Sequence, residues 1–155
     1  MKSRAYTTLV RPKLEYASST WNPHTKRNIN QIEMVQHRAA RFVLHDYSRF
    51  SHVSPMIKQL GWDTLEQRRL LSRLNLFYKI QQGLVGISLP PEVCPLDRAS
   101  RLPSVSPYRH IQSNCDIYKF SFYPRSIVMW NQLPIRNLPL PNFKLTIMPT
   151  IKSMI

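Results

Sequence analysis

The spacing of apolar residues predicts α-helices in the first half of the chain. Apolar side chains recur every three or four positions over 29–43 and again over 70–80, which places them on one face of a helix. Residues 3–11 fit a further helix, which ends or kinks at Pro12 because proline lacks a backbone N–H and clashes with the preceding turn. A sharp reversal follows at Asn22-Pro23, since this pair is typical of turns.

Residues that begin and end helices support these boundaries. Thr64 and Gln67 have the spacing of a capping box, in which each side chain bonds the other residue's backbone N–H, and Gly83 ends the helix that follows. A shorter helix closes at Gly61. The sequence therefore predicts a mainly α protein, with a small bundle of about three to four helices in residues 3–83.

The second half of the chain is rich in proline and in loop-forming residues. The protein has 13 prolines and 3 glycines, and most of the prolines follow position 88. Residues 84–116 show little periodicity, so this segment is either a flexible connector or a basic arm that becomes ordered on nucleic acid. Its arginines are Arg98, Arg101 and Arg109. We divide the chain into a helical module at 1–83, a Pro-rich linker at 84–116 and a C-terminal aromatic segment at 117–155.

Regular structure returns in the C-terminal segment. Apolar and polar side chains alternate over 117–123, a pattern that predicts a short strand. Pro124 begins a short helix, and a further short helix around 143–147 is limited by Pro149. We assign the aromatic residues of this segment to the core rather than to stacking on unpaired bases, because aromatic side chains at such spacings are more often core residues.

The charge balance indicates the class of partner. Lysine and arginine number 22 against 8 acidic residues, which gives a formal net charge of +14. Such a surplus favours polyanions, either nucleic acid or an anionic membrane surface. No apolar run approaches the roughly 20 residues of a membrane span, and the N-terminus lacks the apolar region of a secretory signal. We expect an intracellular protein, nuclear or cytoplasmic, that is neither secreted nor inserted in a membrane.

Four strings of residues, in this order, resemble one protein family. They are Leu-Val-Arg-Pro-Lys-Leu-Glu-Tyr-Ala-Ser at 9–18; Arg-Ala-Ala-Arg at 38–41; Gln-Leu-Gly-Trp at 59–62, followed by Leu-Glu-Gln-Arg-Arg at 65–69; and Tyr-Lys-Phe-Ser-Phe at 118–122, followed by Trp-Asn-Gln-Leu-Pro at 130–134. The chain resembles the thumb and post-thumb region of reverse transcriptases from non-LTR (LINE-type) retrotransposons, in particular those of the jockey type.

The resemblance implies a nucleic-acid partner. In that family the thumb grips the template–primer duplex by its phosphates, so the implied ligand is RNA, an RNA–DNA hybrid or DNA, bound without sequence preference. The natural contacts are arginines on the two longest predicted helices. The candidate nucleic-acid-binding residues are Arg38, Arg41, Arg68, Arg69 and Arg73.

The resemblance does not extend to catalysis. The family's polymerase holds two metal ions with closely placed aspartates, whereas the closest acidic pair here, Asp63 and Glu66, suits the start of a helix. His110 and Cys115 match half of a zinc knuckle, but Cys94 has no cysteine nearby to complete four ligands. We therefore predict no catalytic residue, no metal and no cofactor. The implied protein is a truncated fragment of an RNA-directed DNA polymerase that is not an enzyme on its own.

Three hypotheses for this fragment remain open. It is a working nucleic-acid-binding module, a relic with no activity of its own, or a protein-interaction fragment. In the third case its exposed apolar faces contact the missing polymerase core or another protein. Salt separates the first hypothesis from the third, because phosphate contacts weaken steeply as salt rises and apolar contacts do not.

Overall fold

Helices account for most of the residues that the structure describes, which are 1–93, 108–133 and 140–154 of a computed structural model. The predicted mainly α class is confirmed. Backbone contacts divide the chain into two compact units, Met1–Arg69 and Leu70–Ile155, and the division falls within the sixth helix. The predicted division at 83 and 116 stays a prediction, and part of its linker, 94–107 with Arg98 and Arg101, lies outside the described residues.

The first unit contains five α-helices, a π-helical turn and the start of a sixth α-helix. They are α1 (Lys2–Ala5), a π-helical turn (Tyr6–Val10), α2 (Arg11–Glu15), α3 (Ser18–Trp21), α4 (Lys26–Leu44), α5 (Val53–Gln59) and the first residues of α6 (Leu65–Gln81). The second unit contains the rest of α6 and three further helices in its described residues. These are α7 (Asp116–Lys119), α8 (Phe122–Asn131) and α9 (Leu140–Met154).

The N-terminal helix continues through its proline by way of a π-helical turn. The backbone N–H of Arg11 donates to the carbonyl of Tyr6, five residues back, which widens the turn before Pro12. Pro12 then occupies the first turn of α2, where a missing N–H costs little. The helix ends at Glu15, and Ala17 adopts a left-handed conformation with φ of 49°.

The predicted helix ends of α5 and α6 are confirmed. Gly61 and Gly83 both have φ of +64°, the left-handed conformation that terminates a helix and that favours glycine. At the start of α6 the Thr64 Oγ accepts from the Gln67 N–H, and the Gln67 Oε1 accepts from the Thr64 N–H, each at 3.2 Å. These two bonds form the capping box.

Each unit has an apolar core of its own. In the first unit a small cluster lies between α4 and α5. It contains Ala40, Met56 and Ile57, with Leu44, Val53, Leu60 and Trp62 packed against it. In the second unit a larger cluster surrounds Trp130 and Phe77, and Phe143 and Ile151 of α9 belong to it. The assignment of the aromatic residues to the core is therefore confirmed for Trp130, but it is wrong for Tyr118, which is 41% exposed.

The predicted strand over 117–123 is wrong. Those residues form α7 and the start of α8, and no strand occurs in the described parts of the chain. Ser121 is extended and precedes α8, and Pro124 lies in the first turn of that helix, where proline is tolerated. The alternating pattern was misleading because its apolar residues do not share a buried face, as Ile117 is 89% exposed. The buried residues of α8 instead have helical spacing, since Ile127 and Trp130 are three residues apart.

The prediction that Pro149 limits the last helix is also wrong. Helix α9 extends from Leu140 through Pro149 to Met154. Proline removes the hydrogen bond to the carbonyl four residues earlier, which is that of Leu145. Both residues are exposed, so solvent can replace the missing bond. None of the helices in the described ranges has the length and apolarity needed to cross a bilayer.

Candidate nucleic-acid interface

The structure places Arg69 inside the first unit, where its side chain has no exposed surface. Its Nε donates to the Oδ1 of Asn22 at 3.2 Å, and its Nη2 lies 3.9 Å from the carboxylate of Glu33. The same carboxylate accepts from the backbone N–H of Glu66 at 2.7 Å. Burial lowers the pKa of Arg69, and the negative charge of Glu33 opposes that shift. Arg69 is thus not positioned to contact a phosphate at the surface.

A second set of buried polar bonds lies beside this pair. The Tyr6 hydroxyl donates to the Oε1 of Gln36 at 3.0 Å, and the Nε2 of Gln36 donates to the carbonyl of Asp63 at 2.9 Å. The ring of Tyr6 stacks on Trp62 with 4.6 Å between centroids. Burial raises the pKa of Tyr6 to about 12. These bonds satisfy the buried Gln36 of α4, as the contacts with Arg69 and the Glu66 N–H satisfy one oxygen of the buried Glu33.

Arg68 is occupied by an acidic partner. Its Nε and Nη2 both bond the carboxylate of Glu15, the second at 3.0 Å, in a two-pronged ion pair. The hydrogen bond to Glu15 raises the pKa of Arg68 above its ordinary value. Its guanidinium therefore serves to join α6 to α2.

Arg73 is buried within the second unit. Its Nη1 donates to the carbonyls of Ser121 and Phe122 at 3.3 and 3.0 Å, and the guanidinium lies over the Phe122 ring, 5.3 Å from its centroid. Burial lowers the pKa of Arg73 to about 10, and the nearby charge of Arg125 adds to the shift. With 1% of its surface exposed, Arg73 is not positioned for a surface contact with a phosphate either.

Arg41 holds a loop. Its Nη1 donates to the carbonyl of Ser48 at 2.9 Å and its Nη2 to the carbonyl of Ser51 at 3.0 Å. The side chain is partly buried, and two of its five donors bond the backbone between α4 and α5.

Arg38 is the predicted contact that the structure leaves accessible. It is exposed, and it makes neither an ion pair nor a hydrogen bond to any described residue. It belongs to a row of exposed side chains along α4, here called the outer stripe: Arg27, Gln31, Met34, Arg38 and Phe42. Arg27 and Arg38 are eleven residues apart, which on an α-helix is about 16 Å along the same face.

The distribution of charge over the first unit is uneven. None of its acidic residues is exposed; these are Glu15, Glu33, Asp46, Asp63 and Glu66. Its exposed cations are Arg4, Lys13, Lys26, Arg27, Arg38, Arg49 and Lys58. None of these cations forms an ion pair with a described residue. The surface of this unit is therefore strongly positive.

Sequence reasoning did not select most of these exposed cations. One signal was available, because neither Arg27 nor Arg38 has an acidic residue three or four positions away on the helix. A cation without such a neighbour is not compensated within its own helix. By contrast, Arg11 has Glu15 at the fourth position, 4.0 Å away.

The described residues contain no group of three or more histidine, cysteine, aspartate or glutamate side chains that could hold a metal ion. No family model, curated protein or solved structure matches the chain.

Proposed function

We propose that this protein binds RNA, an RNA–DNA hybrid or DNA through the phosphate backbone, without sequence preference. The outer stripe of α4 and the adjoining Lys26 form the centre of the contact. We further propose that the chain is related to the thumb and post-thumb region of non-LTR reverse transcriptases, as the strings at 9–18 and 38–41 suggest. The observation that carries the binding proposal is that none of the acidic residues of the first unit is exposed, whereas seven of its cations are exposed.

The inward acids matter because they remove the usual neutralisation of a basic surface. Glu15 and Glu33 are engaged by Arg68 and Arg69, so they contribute little negative field outside. The exposed cations then act on a polyanion with no fully exposed carboxylate of the same unit to compete with it. Each phosphate that they neutralise releases bound counterions, which drives binding at low salt.

The start of α4 adds to the same surface. Lys26 and Arg27 lie in its first turn, which contains no acidic residue, and Thr25 makes no side-chain cap hydrogen bond. Two cations beside a positive helix end are unfavourable for the helix alone. A backbone phosphate near these two side chains would offset that repulsion, and Arg38 would contact a second phosphate three turns along.

The proposed role is binding rather than catalysis. The sequence has 8 acidic residues and no adjacent pair to hold the metal ions of a polymerase. A nucleic-acid ligand also implies an intracellular location, in the nucleus or the cytoplasm.

A protein-interaction role is the second candidate, and one observation favours it. Met34 and Phe42 of the outer stripe are 48% and 52% exposed, and Leu9 in the N-terminal helix is 66% exposed. Such apolar side chains could contact a polymerase core or another protein. That contact would respond little to salt.

The test is binding to a labelled RNA–DNA hybrid across a salt series, with heparin as a polyanion control. The variant Lys26→Gln/Arg27→Gln/Arg38→Gln removes three charges at the proposed centre. The control Arg4→Gln/Lys13→Gln/Lys58→Gln removes three exposed charges of the same unit elsewhere. For each lost phosphate contact the slope of log affinity against log salt should fall by about 0.7 to 0.9.

We expect the first variant to lose two to three phosphate contacts, so that its slope of log affinity against log salt falls by about 1.4 to 2.7. The control should lose less than one phosphate contact. Equal losses in the two variants would contradict a contact centred on α4. An affinity for heparin equal to that for the hybrid would reduce the protein to a general polyanion binder. A salt-independent affinity would favour the protein-interaction role.

A further inference from the structure

The loop between α4 and α5 exposes two aromatic rings. Tyr47 is 64% exposed and Phe50 is 92% exposed, and Arg49 between them is exposed as well. Rings of this size are normally buried at least in part, because exposing their apolar surface to water is unfavourable. Two such rings three residues apart, with a cation next to them, are a feature that folding alone does not explain.

The backbone that carries these rings is held in place by hydrogen bonds. Arg41 donates to the carbonyls of Ser48 and Ser51. The Oδ1 of Asp46 accepts from the Ser48 N–H at 3.1 Å, and the Ser48 Oγ accepts from the Phe50 N–H at 3.3 Å. We call residues 46–51 the clamped loop. Its rings are therefore exposed on a backbone that these four hydrogen bonds hold.

A fixed pair of rings suits a planar, apolar ligand. Binding to them does not require the loop to be ordered first, so less of the interaction energy is lost on association. Nucleobases present a flat π-face whatever their identity, and stacking on aromatic side chains is how proteins bind unpaired strands without reading sequence. Arg49 supplies the positive charge that the adjoining phosphate needs.

We infer that the clamped loop is a stacking site for unpaired bases, with Tyr47 and Phe50 as the stacking rings and Arg49 as the phosphate contact. Charge complementarity selects this ligand, because Arg49 is one of seven exposed cations of the first unit and none of that unit's acidic residues is exposed, which favours an anionic partner over a neutral apolar one. The inference rests on the proposed function and extends it from the backbone to the bases. It implies a preference for single strands, or for the junction between a single strand and a duplex.

The test compares a short single-stranded RNA with the blunt duplex of the same sequence. The single strand carries a fluorescent purine analogue whose emission falls when it stacks. The variants Phe50→Ala and Tyr47→Ala/Phe50→Ala change no charge. Tyr16→Ala is the matched control, because Tyr16 is a ring of the same unit that is 80% exposed outside the clamped loop.

We expect each lost ring to weaken single-strand binding by about 5-fold to 150-fold and to reduce the quenching, which should be absent in the double variant. Duplex affinity and its salt slope should not change, and Tyr16→Ala should behave as the natural chain does. Circular dichroism checks that each variant folds, and Phe50→Ala alone is sufficient if the double variant does not.

Other outcomes separate this inference from the proposed function. If the loop variants bind the single strand normally while the duplex still binds with a steep salt slope, the stacking site is wrong and the backbone contact stands. If the natural protein binds neither nucleic acid at low salt, both fail. If the loop variants lose binding only to anionic lipid vesicles, the rings contact a membrane surface and the stacking site is overturned.

Discussion

Arg69 shows how a charged residue can be part of the fold. Its guanidinium is fully buried against Asn22 and Glu33. Three atoms of this pair have no hydrogen-bond partner among the described residues. They are the Nη1 and Nη2 of Arg69 and the Oε2 of Glu33. A buried ion pair with incomplete hydrogen bonding contributes little net stability, but removing one member leaves the other charge buried without compensation.

We predict that Arg69→Met lowers the free energy of unfolding by about 3 kcal/mol, measured by urea denaturation. The loss comes from Glu33, so Arg69→Met/Glu33→Met should recover much of it. Arg38→Met is the control and should change stability by no more than about 0.5 kcal/mol, because Arg38 is exposed. An Arg69→Met variant as stable as the natural protein would show that the pair is not buried in this way.

Because Tyr6 is buried, we predict that the free energy of unfolding depends on pH in the alkaline range. Burial raises its pKa from 10.0 to about 12, so the folded protein holds the proton more tightly than the unfolded chain. The stabilisation is complete below pH 10.0 and is lost as pH rises from there through about 12. Tyr6→Phe removes this ionisation. The stability difference between the natural protein and Tyr6→Phe should therefore shrink across that window.

Denaturation at a series of pH values measures this difference. Some alkaline sensitivity should persist in Tyr6→Phe, because burial also raises the pKa of Tyr108. A difference that stays constant as pH rises from below 10.0 through about 12 would contradict the buried position of Tyr6.

At the level of elements, a threonine precedes each of the two longest helices, and we expect the two residues to differ in their contribution to stability. Thr64 forms both bonds of the capping box of α6, whereas Thr25 precedes α4 without a side-chain cap bond. Thr64→Ala should cost about 1 kcal/mol of unfolding free energy, and Thr25→Ala only a few tenths. Equal effects in urea denaturation would show that the capping box does not hold α6.

Features of helices that depend on neighbouring residues were predictable from the sequence. The capping box at Thr64 and the left-handed Gly61 and Gly83 are determined within four residues of chain, so local spacing was sufficient. The strand over 117–123 failed because six or seven alternating residues fit either structure. The chain forms helices here because Ser121 is extended and precedes α8, and because Pro124 lies in the first turn of α8, where proline is tolerated.

The roles of the arginines could not be predicted, because their partners are distant in sequence. Arg68 meets Glu15 across 53 residues, and Arg69 meets Asn22 across 47. The spacing along α6 did indicate that two arginines are buried. Leu65, Arg69, Arg73 and Phe77 follow one another at intervals of four residues on one face of the helix, and all four are buried. Arginine is seldom fully buried, so the ordinary expectation favoured the surface.

At the scale of the whole molecule, the net charge of +14 describes the partner better than any single arginine does. None of the acids of the first unit is exposed, so its exposed charges are cations. The arginines therefore fall into two classes. Arg68, Arg69 and Arg73 bond groups of the protein itself, whereas Arg27 and Arg38 are exposed.

The most direct test of that division is an NMR spectrum of the arginine Nε–H groups, recorded with and without an RNA–DNA hybrid at low salt. Arg69 and Arg73 should give signals that exchange slowly with water in the unbound protein and do not move when the hybrid is added. Arg27 and Arg38 should exchange rapidly and shift on binding. Shifts at Arg69 or Arg73, with Arg27 and Arg38 unaffected, would contradict a contact centred on the outer stripe of α4.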